Sequence, residues 1–436
     1  MPNVKTKSMF FHKLPKVVAL FLFVPVVLLM TPASRLYSQS SQPVDTARVK
    51  TGIEVLADID FKPLKGKKVG LITNPTGVNY ELKSTIDMLH ESDNVELVAL
   101  FGPEHGVRGN YSAGEKVGKT IDPKTGVPVY SLYGSRLAPT DSMLQDIDVL
   151  IYDIQDIGVR SYTYISTMGR SMEAAAENDV HFVVLDRPNP LGGNRIEGPV
   201  VEPAFESFVS QFPIPYVYGL TVGELARMLN GEGMIGEQKC RLTVIPMRRW
   251  ERDMLFEDTG LPWVPTSPHI PYKRSPLYYV STGILGELDV VSEGVGYTLP
   301  FHMYAAPWIE ADKMADSLNA LNLKGVQFRP VHYKPYYGGD KGKELHGVQI
   351  HIREAARLNL MALQFRFMEI HNKMYPEKNT FKEAREPRIR MFDKVVGTDS
   401  VRKVFMEQGS YESIEPILNK DVEAFREKSK MYHLYH

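Results

Sequence analysis

The chain has 436 residues, of which 43% are hydrophobic and 24% charged, a composition typical of two globular domains of ordinary size. Its formal net charge is −1. Residues 1–40 hold five Lys or Arg and no Asp or Glu, so the remainder carries a charge near −6. This balance argues against nucleic acid as a partner, because phosphate binding needs a basic face. Cys240 is the single cysteine, which excludes an intramolecular disulfide and a thiolate metal cage.

The first forty residues have the layout of a secretory signal peptide. Four lysines precede an apolar stretch over residues 17–30, and small and polar residues follow it. The apolar stretch is too short for a comfortable membrane span. We therefore expect residues 1–40 to be a signal peptide and the protein to be exported, either periplasmic or extracellular. The alternative is an uncleaved N-terminal anchor, and nothing beyond this segment predicts contact with a membrane.

Strands and helices are predicted to alternate from about residue 52. Short Val/Ile/Leu runs predict strands, and amphipathic segments between them predict helices, the third of which Thr221 is expected to cap. The predicted strands are 68–73, 95–101, 127–132, 149–152, 182–185 and 242–246, and the predicted helices are 83–90, 165–178 and 222–229. This alternation favours an α/β fold with a doubly wound, mostly parallel sheet.

The character of the sequence changes after about residue 250. Residues 258–310 are rich in Pro, Gly and aromatic residues and lack regular periodicity, and long irregular stretches of this kind are often functional. Beyond them we predict a strand at 347–353 and helices at 358–374 and 422–432. The predicted domains are therefore residues 52–250 and residues 251–436.

Polar residues follow several of the predicted strands directly. Asn74 follows the first, Asp153 and Asp156 follow the strand at 149–152, and Asp186 and Asn189 follow the strand at 182–185. Because parallel strands end at the same edge of a sheet, these loops are expected to lie together. Ligands of open α/β sheets bind outside the carboxyl ends of the strands, so this edge is the predicted site.

The loop after the second strand, Phe101-Gly-Pro-Glu-His-Gly-Val-Arg-Gly109, carries the strongest candidates for chemistry. It places Glu104, His105 and Arg108 among glycines and a proline, which let a backbone come close to a ligand. A carboxyl group on such a loop, near an apolar wall, can have a raised pKa and act as a general acid. Alternatively, Glu104 caps a turn or pairs with Arg108. No metal-ligand spacing surrounds His105, so no metal site is predicted.

The segment DIQDIGVRSYTY combines two carboxylates, an arginine and two tyrosines after one strand. An arginine suits a carboxylate ligand because its fork donates two parallel hydrogen bonds, and this makes Arg160 a candidate. Tyr162 and Tyr164 offer both a stacking face and a hydroxyl. The alternative is that Asp153 or Asp156 caps the helix that follows and that one tyrosine belongs to the core.

One apparent cofactor motif is discounted. Residues 231–236 spell GxGxxG, but they follow a predicted helix instead of connecting a strand to a helix. Glycines that terminate a helix explain this segment better. The sequence contains no P-loop, no G-x-S-x-G elbow and no H-E-x-x-H, and no cofactor is predicted.

Five ordered motifs, NPTG, FGPEHGVRG, DIQDIGVRSYTY, VLDRPNPLGG and EGP, resemble those of the bacterial exo-β-N-acetylmuramidase family. The similarity continues through LPWVPTSPHIP, VSEGVGYTLPF, GVQFRPVHYKP, FDKVVGTDSVR and YHLY, and so covers roughly residues 52–435. It implies an exo-acting glycoside hydrolase that releases N-acetylmuramic acid from the non-reducing ends of peptidoglycan fragments. It also implies a Rossmann-like domain joined to a smaller auxiliary α/β domain, with the active site between them.

The resemblance implies roles for individual residues of this chain. Glu104 is the expected catalytic acid, with His105 and Asp153 as further catalytic candidates. Arg160 is the candidate for the lactyl carboxylate of the substrate, and Tyr162 and Tyr164 for the sugar and its N-acetyl group. The complete set of expected substrate-binding residues is Asn74, Arg108, Asp156, Arg160, Tyr162, Tyr164, Asp186, Asn189, Glu287 and Glu293.

The sequence departs from the family pattern in its second half. Most members carry Phe-Glu-Gly-Thr-Asn followed by Ser-Glu-Gly-Arg-Gly-Thr, whereas this chain has GELD at 286–289 and SEGVGY at 292–297. Glu287 and Glu293 remain, and Val295 replaces the arginine. If that arginine holds the lactyl carboxylate in relatives, we expect the subsite preference of this chain to differ from theirs.

Glycoside hydrolysis usually needs a second group besides the proton donor, and the sequence leaves that group open. The candidates are Asp153, Asp156, Glu287, Glu293 and the acetamide of the substrate, so retaining and inverting mechanisms both stay open. Two other functions also remain. One is a non-catalytic muropeptide-binding protein on the same fold. The other is an esterase or amidase of the cell wall, although no serine elbow or zinc motif is present.

Overall fold

The computed structural model describes residues 48–103, 106–109 and 120–436. Its strands form two separate sheets. The first sheet contains β1 (Lys68–Thr73), β2 (Glu96–Gly102), β3 (Thr120–Ile121), β4 (Pro128–Ser131), β5 (Val149–Asp153), β6 (His181–Leu185) and β7 (Leu242–Ile245). The second contains β8 (Met303–Ala306), β9 (Val326–Tyr333) and β10 (Leu345–Ile352).

The first sheet has the order β3-β4-β2-β1-β5-β6-β7. Each neighbouring pair is parallel except β3 with β4. The register pairs Ile72 with Phe101 and Thr73 with Asp153, so the carboxyl ends of β1, β2 and β5 lie side by side. The prediction that the polar strand-end loops share one edge is therefore confirmed. The short antiparallel β3 was not predicted, because two residues carry no periodicity.

Helices connect the strands and cover both faces of the first sheet. Thr221 accepts a hydrogen bond from the Glu224 amide at 3.2 Å, which confirms the predicted cap of α5. The helices are α1 (Gly52–Asp58), α2 (Thr85–His90), α3 (Asp141–Leu144), α4 (Tyr164–Glu177), α5 (Val222–Gly231), α6 (Ser275–Gly286), α7 (Ala311–Asn319), α8 (Leu360–Met374), α9 (Thr380–Glu383), α10 (Glu386–Val396), α11 (Ser400–Gln408), α12 (Tyr411–Asn419) and α13 (Val422–Ser429). Among the described residues, no helix is both long and apolar enough to cross a membrane.

The alternation of side chains along the strands produces two cores in the first domain. Ile72, Phe101 and Tyr152 pack on one face with α4 and α5. Leu71 and Ile151 pack on the opposite face with α1 and α2. This arrangement is the predicted α/β class, a mostly parallel sheet with helices on both faces.

The second sheet is antiparallel, in the order β8-β10-β9, and belongs to a smaller second domain. The prediction that residues 258–310 lack regular structure is wrong in part, because α6 and β8 lie within them. Helix α6 starts with Pro276 in its first turn and is buried almost all round, so its sequence shows no amphipathic period. The domain boundary itself, near residue 250, stays a prediction.

Candidate active site

Hydrogen bonds join the loops after β1, β5 and β6 into one polar layer. The side-chain oxygen of Asn74 accepts from the amide of Thr76 at 2.9 Å, and the Thr76 hydroxyl accepts from the amide of Gln155 at 2.9 Å. The Gln155 amide group then donates to the Pro188 carbonyl at 2.7 Å. The sequence-predicted loops are therefore held against each other at the carboxyl edge of the sheet.

Asp153 is the centre of a buried ion pair in this layer. Arg187 donates to its two carboxylate oxygens at 2.5 and 2.9 Å, and the Thr85 hydroxyl donates to one of them at 2.5 Å. Asp153 has no exposed surface. Both oxygens are engaged within the protein, so this placement supports a structural role and gives no support to the predicted catalytic one.

Asp186 also uses its carboxylate to hold the fold together. One oxygen accepts from the amide of Gly223 at 2.8 Å, at the start of α5, and the other from the hydroxyls of Thr221 at 2.7 Å and Tyr435 at 2.5 Å. Burial raises the pKa of Asp186 to about 7. The predicted ligand contact gains no support, because these three donors join β6, α5 and residue 435 to one carboxyl group.

Asn189 fixes the contact between the loops after β5 and β6. Its side-chain oxygen accepts from the Leu191 amide at 2.9 Å, and its amide group donates to the Leu220 carbonyl at 2.9 Å. Gly158 approaches it so closely that a Cβ there would lie 2.3 Å from the Asn189 oxygen. With φ at +78°, Gly158 also has a backbone conformation that favours glycine. Asn189 therefore positions the neighbouring loop.

Asp156 and Asn74 differ from these residues because each keeps a buried polar atom unused. Asp156 accepts from the Tyr218 hydroxyl at 2.7 Å and the Gly158 amide at 2.8 Å through one oxygen. Its Oδ2 and the Nδ2 of Asn74 have no hydrogen-bond partner among the described residues. Burial raises the pKa of Asp156 to about 7. A buried unpaired polar atom is costly, so these two atoms are candidates for contact with a ligand.

Arg160 does not have the place that the sequence predicted for it. Its side chain is completely buried, and all five of its N–H groups donate to protein oxygens at 2.5–3.2 Å. The acceptors are the Ser210 hydroxyl and the carbonyls of Pro199, Ile214, Val395 and Val396. No N–H remains for the lactyl carboxylate. The guanidinium instead ties the first domain to the end of α10 in the second.

Glu104 and His105 lie outside the described residues, and so their predicted roles stay predictions. The described residues on either side of them are closely anchored. A Cβ on Gly102 would lie 3.0 Å from the Cα of Gly106, and one on Gly109 would lie 2.7 Å from the ring of Pro75. Glycines at both positions therefore let residues 106–109 pack against the end of β2 and the loop after β1.

Arg108 anchors the same loop through charge. It donates to Asp122 at 2.5 and 2.9 Å and to Asp87 at 3.1 Å. The Arg108 guanidinium is the main reason that the pKa of Asp122 falls to about 2. In this arrangement Arg108 holds the loop in position, and its predicted contact with a substrate gains no support.

An open cleft of about 280 Å³ lies where the two domains meet, and we call it the Tyr162 cleft. Its lining combines the first-domain segment after β5 with the segment that the sequence showed as irregular. The lining residues are 161–164, 267–270, Tyr279 and Phe301. The structure thus brings the predicted residues Tyr162 and Tyr164 into one cavity.

The walls of the Tyr162 cleft are aromatic rings with fixed hydroxyls. The Tyr162 hydroxyl donates to the Thr266 hydroxyl at 2.8 Å, and the Tyr164 hydroxyl donates to the Thr266 carbonyl at 2.5 Å. The rings of Tyr162 and Tyr164 meet edge to face at 5.0 Å, and Tyr279 meets Tyr162 in the same way at 6.1 Å. Rigid aromatic faces beside hydroxyl groups suit a ligand with both apolar C–H faces and polar groups, such as a sugar.

Sequence reasoning missed Tyr279 and Phe301 as cleft residues. Tyr279 lies on α6, which the sequence did not reveal, and Phe301 has a φ of +68°, rare for an aromatic residue. Its neighbour His302 is held by Nδ1, 2.7 Å from the Pro300 carbonyl, and by the Tyr272 hydroxyl at Nε2. Such backbone strain is typical of functional sites. The clustering of Tyr and Pro in residues 258–310 was the available signal.

Neither Glu287 nor Glu293 is among the described residues that line the Tyr162 cleft, although the Glu287 carboxylate acts electrostatically on Tyr279 of that cleft. Glu287 lies 3.9 Å from Arg388. Glu293 and Val295 line a second cavity of about 450 Å³, which shares no described lining residue with the Tyr162 cleft. Burial raises the pKa of Glu293 to about 7. Across the described ranges, no three His, Cys, Asp or Glu side chains are grouped so that they could hold a metal ion.

Two family models match the chain in succession. The model described as "Exo-beta-N-acetylmuramidase NamZ, N-terminal" matches residues 69–274, and the corresponding C-terminal model matches residues 277–435. The chain belongs to the exo-β-N-acetylmuramidase family. The exo-β-N-acetylmuramidase resemblance that the five sequence motifs indicated is thereby confirmed.

Relatives of this exo-β-N-acetylmuramidase family member support the assignment over almost the whole chain. This chain is 43% identical to the peptidoglycan beta-N-acetylmuramidase NamZ of Bacillus subtilis (strain 168). The match covers 93% of this chain and 96% of that protein. This chain is also similar to a DUF1343 family protein from Bacteroides fragilis NCTC 9343, whose crystal structure was determined at 1.65 Å. The TM-score is 0.87 and the sequence identity 55%, and the match covers 90% of this chain and 100% of that one. A second such structure from that strain, at 1.30 Å, has a TM-score of 0.72 and 33% identity, with 89% and 99% covered.

Proposed function

We propose that the protein is a glycosidase that hydrolyses the β-glycosidic bond of a terminal N-acetylmuramic acid at the non-reducing end of peptidoglycan fragments. The observation that carries this proposal is the match of both family models, in order, across residues 69–274 and 277–435. The named activity of the Bacillus relative, at 43% identity, supports the same reaction class.

The Tyr162 cleft is the proposed seat of the sugar. Its aromatic rings offer apolar faces to the C–H groups of a pyranose ring, and Ser161 and Ser267 place hydroxyls beside them. Its volume of about 280 Å³ lies just below the usual range for small-molecule sites, roughly 300–1,000 Å³. A cavity of this size suits one sugar unit, which fits removal of single terminal residues.

The proposed proton donor is Glu104. The residues on either side of it in the sequence lie at the carboxyl end of β2, on the edge that the other strand-end loops share. In the reaction Glu104 gives its proton to the leaving glycosidic oxygen, the bond from that oxygen to the anomeric carbon breaks, and water supplies the new hydroxyl. The proton that the water loses passes to the second carboxylate in an inverting reaction or back to Glu104 in a retaining one. Asp156 is a better candidate for the second group than Asp153. Its Oδ2 has no hydrogen-bond partner within the part of the chain that the structure describes, whereas both oxygens of Asp153 accept from Arg187.

The test is release of free sugar from a synthetic β-glycoside of N-acetylmuramic acid by the purified protein. We expect release by the wild type and a loss of at least about 100-fold in kcat for Glu104→Gln, with unchanged thermal stability. Glu91→Gln, which changes an exposed glutamate at the end of α2, is the matched control and should retain full turnover. A folded Glu104→Gln protein with normal turnover would remove the acid assignment.

The position of Val295 favours one alternative, a muropeptide-binding protein without catalysis. Val295 lines the cavity that also contains Glu293, and it is the residue at which this sequence departs from the arginine of the family pattern. Mass spectrometry of muropeptides after incubation separates the possibilities. Loss of one terminal sugar supports the glycosidase, unchanged fragments that bind support the alternative, and loss of a peptide or an acyl group indicates an amidase or an esterase.

Export to the periplasm is part of the same proposal. Its support is the sequence pattern of residues 1–40, which lie outside the described residues. Sequencing the N-terminus of the protein recovered from the periplasmic fraction tests it. Recovery of the chain from the cytoplasm with residue 1 or 2 at its N-terminus would contradict it.

A further inference from the structure

The loop that joins β9 to β10 presents two tyrosines to solvent beside the Tyr162 cleft. Tyr336 is 62% exposed and Tyr337 is 46% exposed. Large aromatic rings usually bury most of their area, so an adjacent exposed pair is a candidate contact surface. Gly338 and Gly339 follow directly and bring no side chains that could cover the ring of Tyr337.

Tyr337 is continuous with the cleft through His269. The two rings are nearly parallel, at an interplanar angle of 13° with centroids 5.9 Å apart. His269 itself lines the Tyr162 cleft. An aromatic surface therefore runs from the inside of the cleft, past His269, to the exposed ring of Tyr337.

The loop that carries Tyr337 is held in place. The Tyr336 amide donates to the Gly296 carbonyl at 2.7 Å, and the Tyr336 ring stacks on Tyr297 at 5.4 Å. Gly296 has a φ of +94°, and a Cβ there would lie 2.4 Å from the Tyr337 carbonyl. The backbone of the loop thus rests against a position that only glycine fits, and Tyr337 projects from a fixed base.

The size of the Tyr162 cleft indicates which part of a substrate lies against the ring of Tyr337. About 280 Å³ accommodates one sugar, so the remainder of a glycan must leave through the mouth of the cleft. We propose that Tyr337, stacked on His269, forms a subsite for the first sugar of the leaving group, an N-acetylhexosamine whose apolar face packs on the Tyr337 ring. This inference rests on the proposed function and adds to it the residue that recognises the departing part of the substrate.

Two substrates with the same terminal sugar test the subsite. One is the methyl β-glycoside of N-acetylmuramic acid, and the other is its β-1,4-linked disaccharide with N-acetylglucosamine. Tyr337→Ala should raise KM for the disaccharide about tenfold and leave kcat/KM for the methyl glycoside unchanged. Tyr337→Phe keeps the ring and should behave as the wild type. Met406→Ala, which removes another exposed apolar side chain of the second domain, should change neither substrate.

Three outcomes contradict the subsite in different ways. An equal loss on both substrates, with a lowered unfolding midpoint, would show that Tyr337 supports the fold. No loss on either would show that the departing sugar does not touch the ring. If the wild type cleaves neither substrate, the proposed function falls and the subsite falls with it. Cleavage of both by the wild type keeps the two failures distinct.

Discussion

Replacing Arg160 with methionine should destabilise the protein without changing how it binds a substrate. Methionine fills much of the same space but donates nothing to the four carbonyls and one hydroxyl that the guanidinium contacts. Each buried acceptor left empty costs about 1–3 kcal/mol. Burial lowers the pKa of Arg160 to about 9, which shows that burying its charge is unfavourable. Methionine avoids this unfavourable burial, and so part of the lost stability is recovered. We expect the free energy of unfolding to fall by about 3–5 kcal/mol.

The assay combines urea unfolding with kinetics. Unfolding at pH 7, followed by circular dichroism, gives the free energy, and turnover of a muramyl glycoside at low temperature gives KM for the folded fraction. Arg385→Met is the control, because that side chain is 74% exposed, and its loss should cost less than about 1 kcal/mol. A stable Arg160→Met protein with a strongly raised KM would refute the reasoning and return Arg160 to the binding site.

Three further predictions concern the polar layer. The pKa of Asp156 is about 7 in the folded protein and 3.8 for an ordinary aspartate, so its contribution to the unfolding free energy is present below about pH 4 and is lost as the pH rises to about 7. Asp156→Asn should reduce this pH-dependent fall in the unfolding free energy by at most about 4 kcal/mol. Urea unfolding that gives the same dependence on pH for the variant and the wild type across about pH 4–7 would contradict this. Gly158→Ala should lower the unfolding free energy by more than about 2 kcal/mol and remove most of the activity. Gly233→Ala, at a similar φ but with open space around it, should lower the unfolding free energy by about 1 kcal/mol. Equal losses of stability in the two variants would argue against the contact between Gly158 and Asn189. Tyr435→Phe removes the hydroxyl that donates to Asp186 and accepts from the Met247 amide, and it should lower the unfolding free energy by about 1–3 kcal/mol. A thermal unfolding midpoint equal to that of the wild type would disprove this.

The first sheet could be predicted from sequence because its strands are short apolar runs that end in Gly, Pro or polar residues. The strand 149–152 is predicted almost as observed, and the common edge follows from parallel pairing alone. Helix α6 could not be predicted in the same way, because burial on all sides removes the amphipathic period on which prediction depends. The antiparallel partner strand β9 was missed as well.

The sequence predicted which loops form the site better than it predicted what each residue does there. Asp153 and Asp156 have the same side chain and lie in one motif. Arg187 donates to both oxygens of Asp153, whereas Oδ2 of Asp156 has no hydrogen-bond partner among the residues that the structure describes. Arg160 has the residue type of a carboxylate ligand, but its acceptors at Val395 and Val396 lie more than two hundred positions along the chain. Contacts at that separation depend on tertiary packing, and local pattern does not contain them.

The guanidinium of Arg160 also bears on how this family can be divided or recombined. The two family models meet between residues 274 and 277, which suggests a natural cutting point. A fragment that ends there would keep Arg160 and lose the carbonyls of Val395 and Val396, and it would lose the Tyr435 hydroxyl from Asp186. A chimaera of two relatives must therefore keep the backbone path around residue 395 and a tyrosine at position 435 together with the first domain. These buried contacts, and not the boundary between the two family models, determine which segments must be kept together when relatives are recombined.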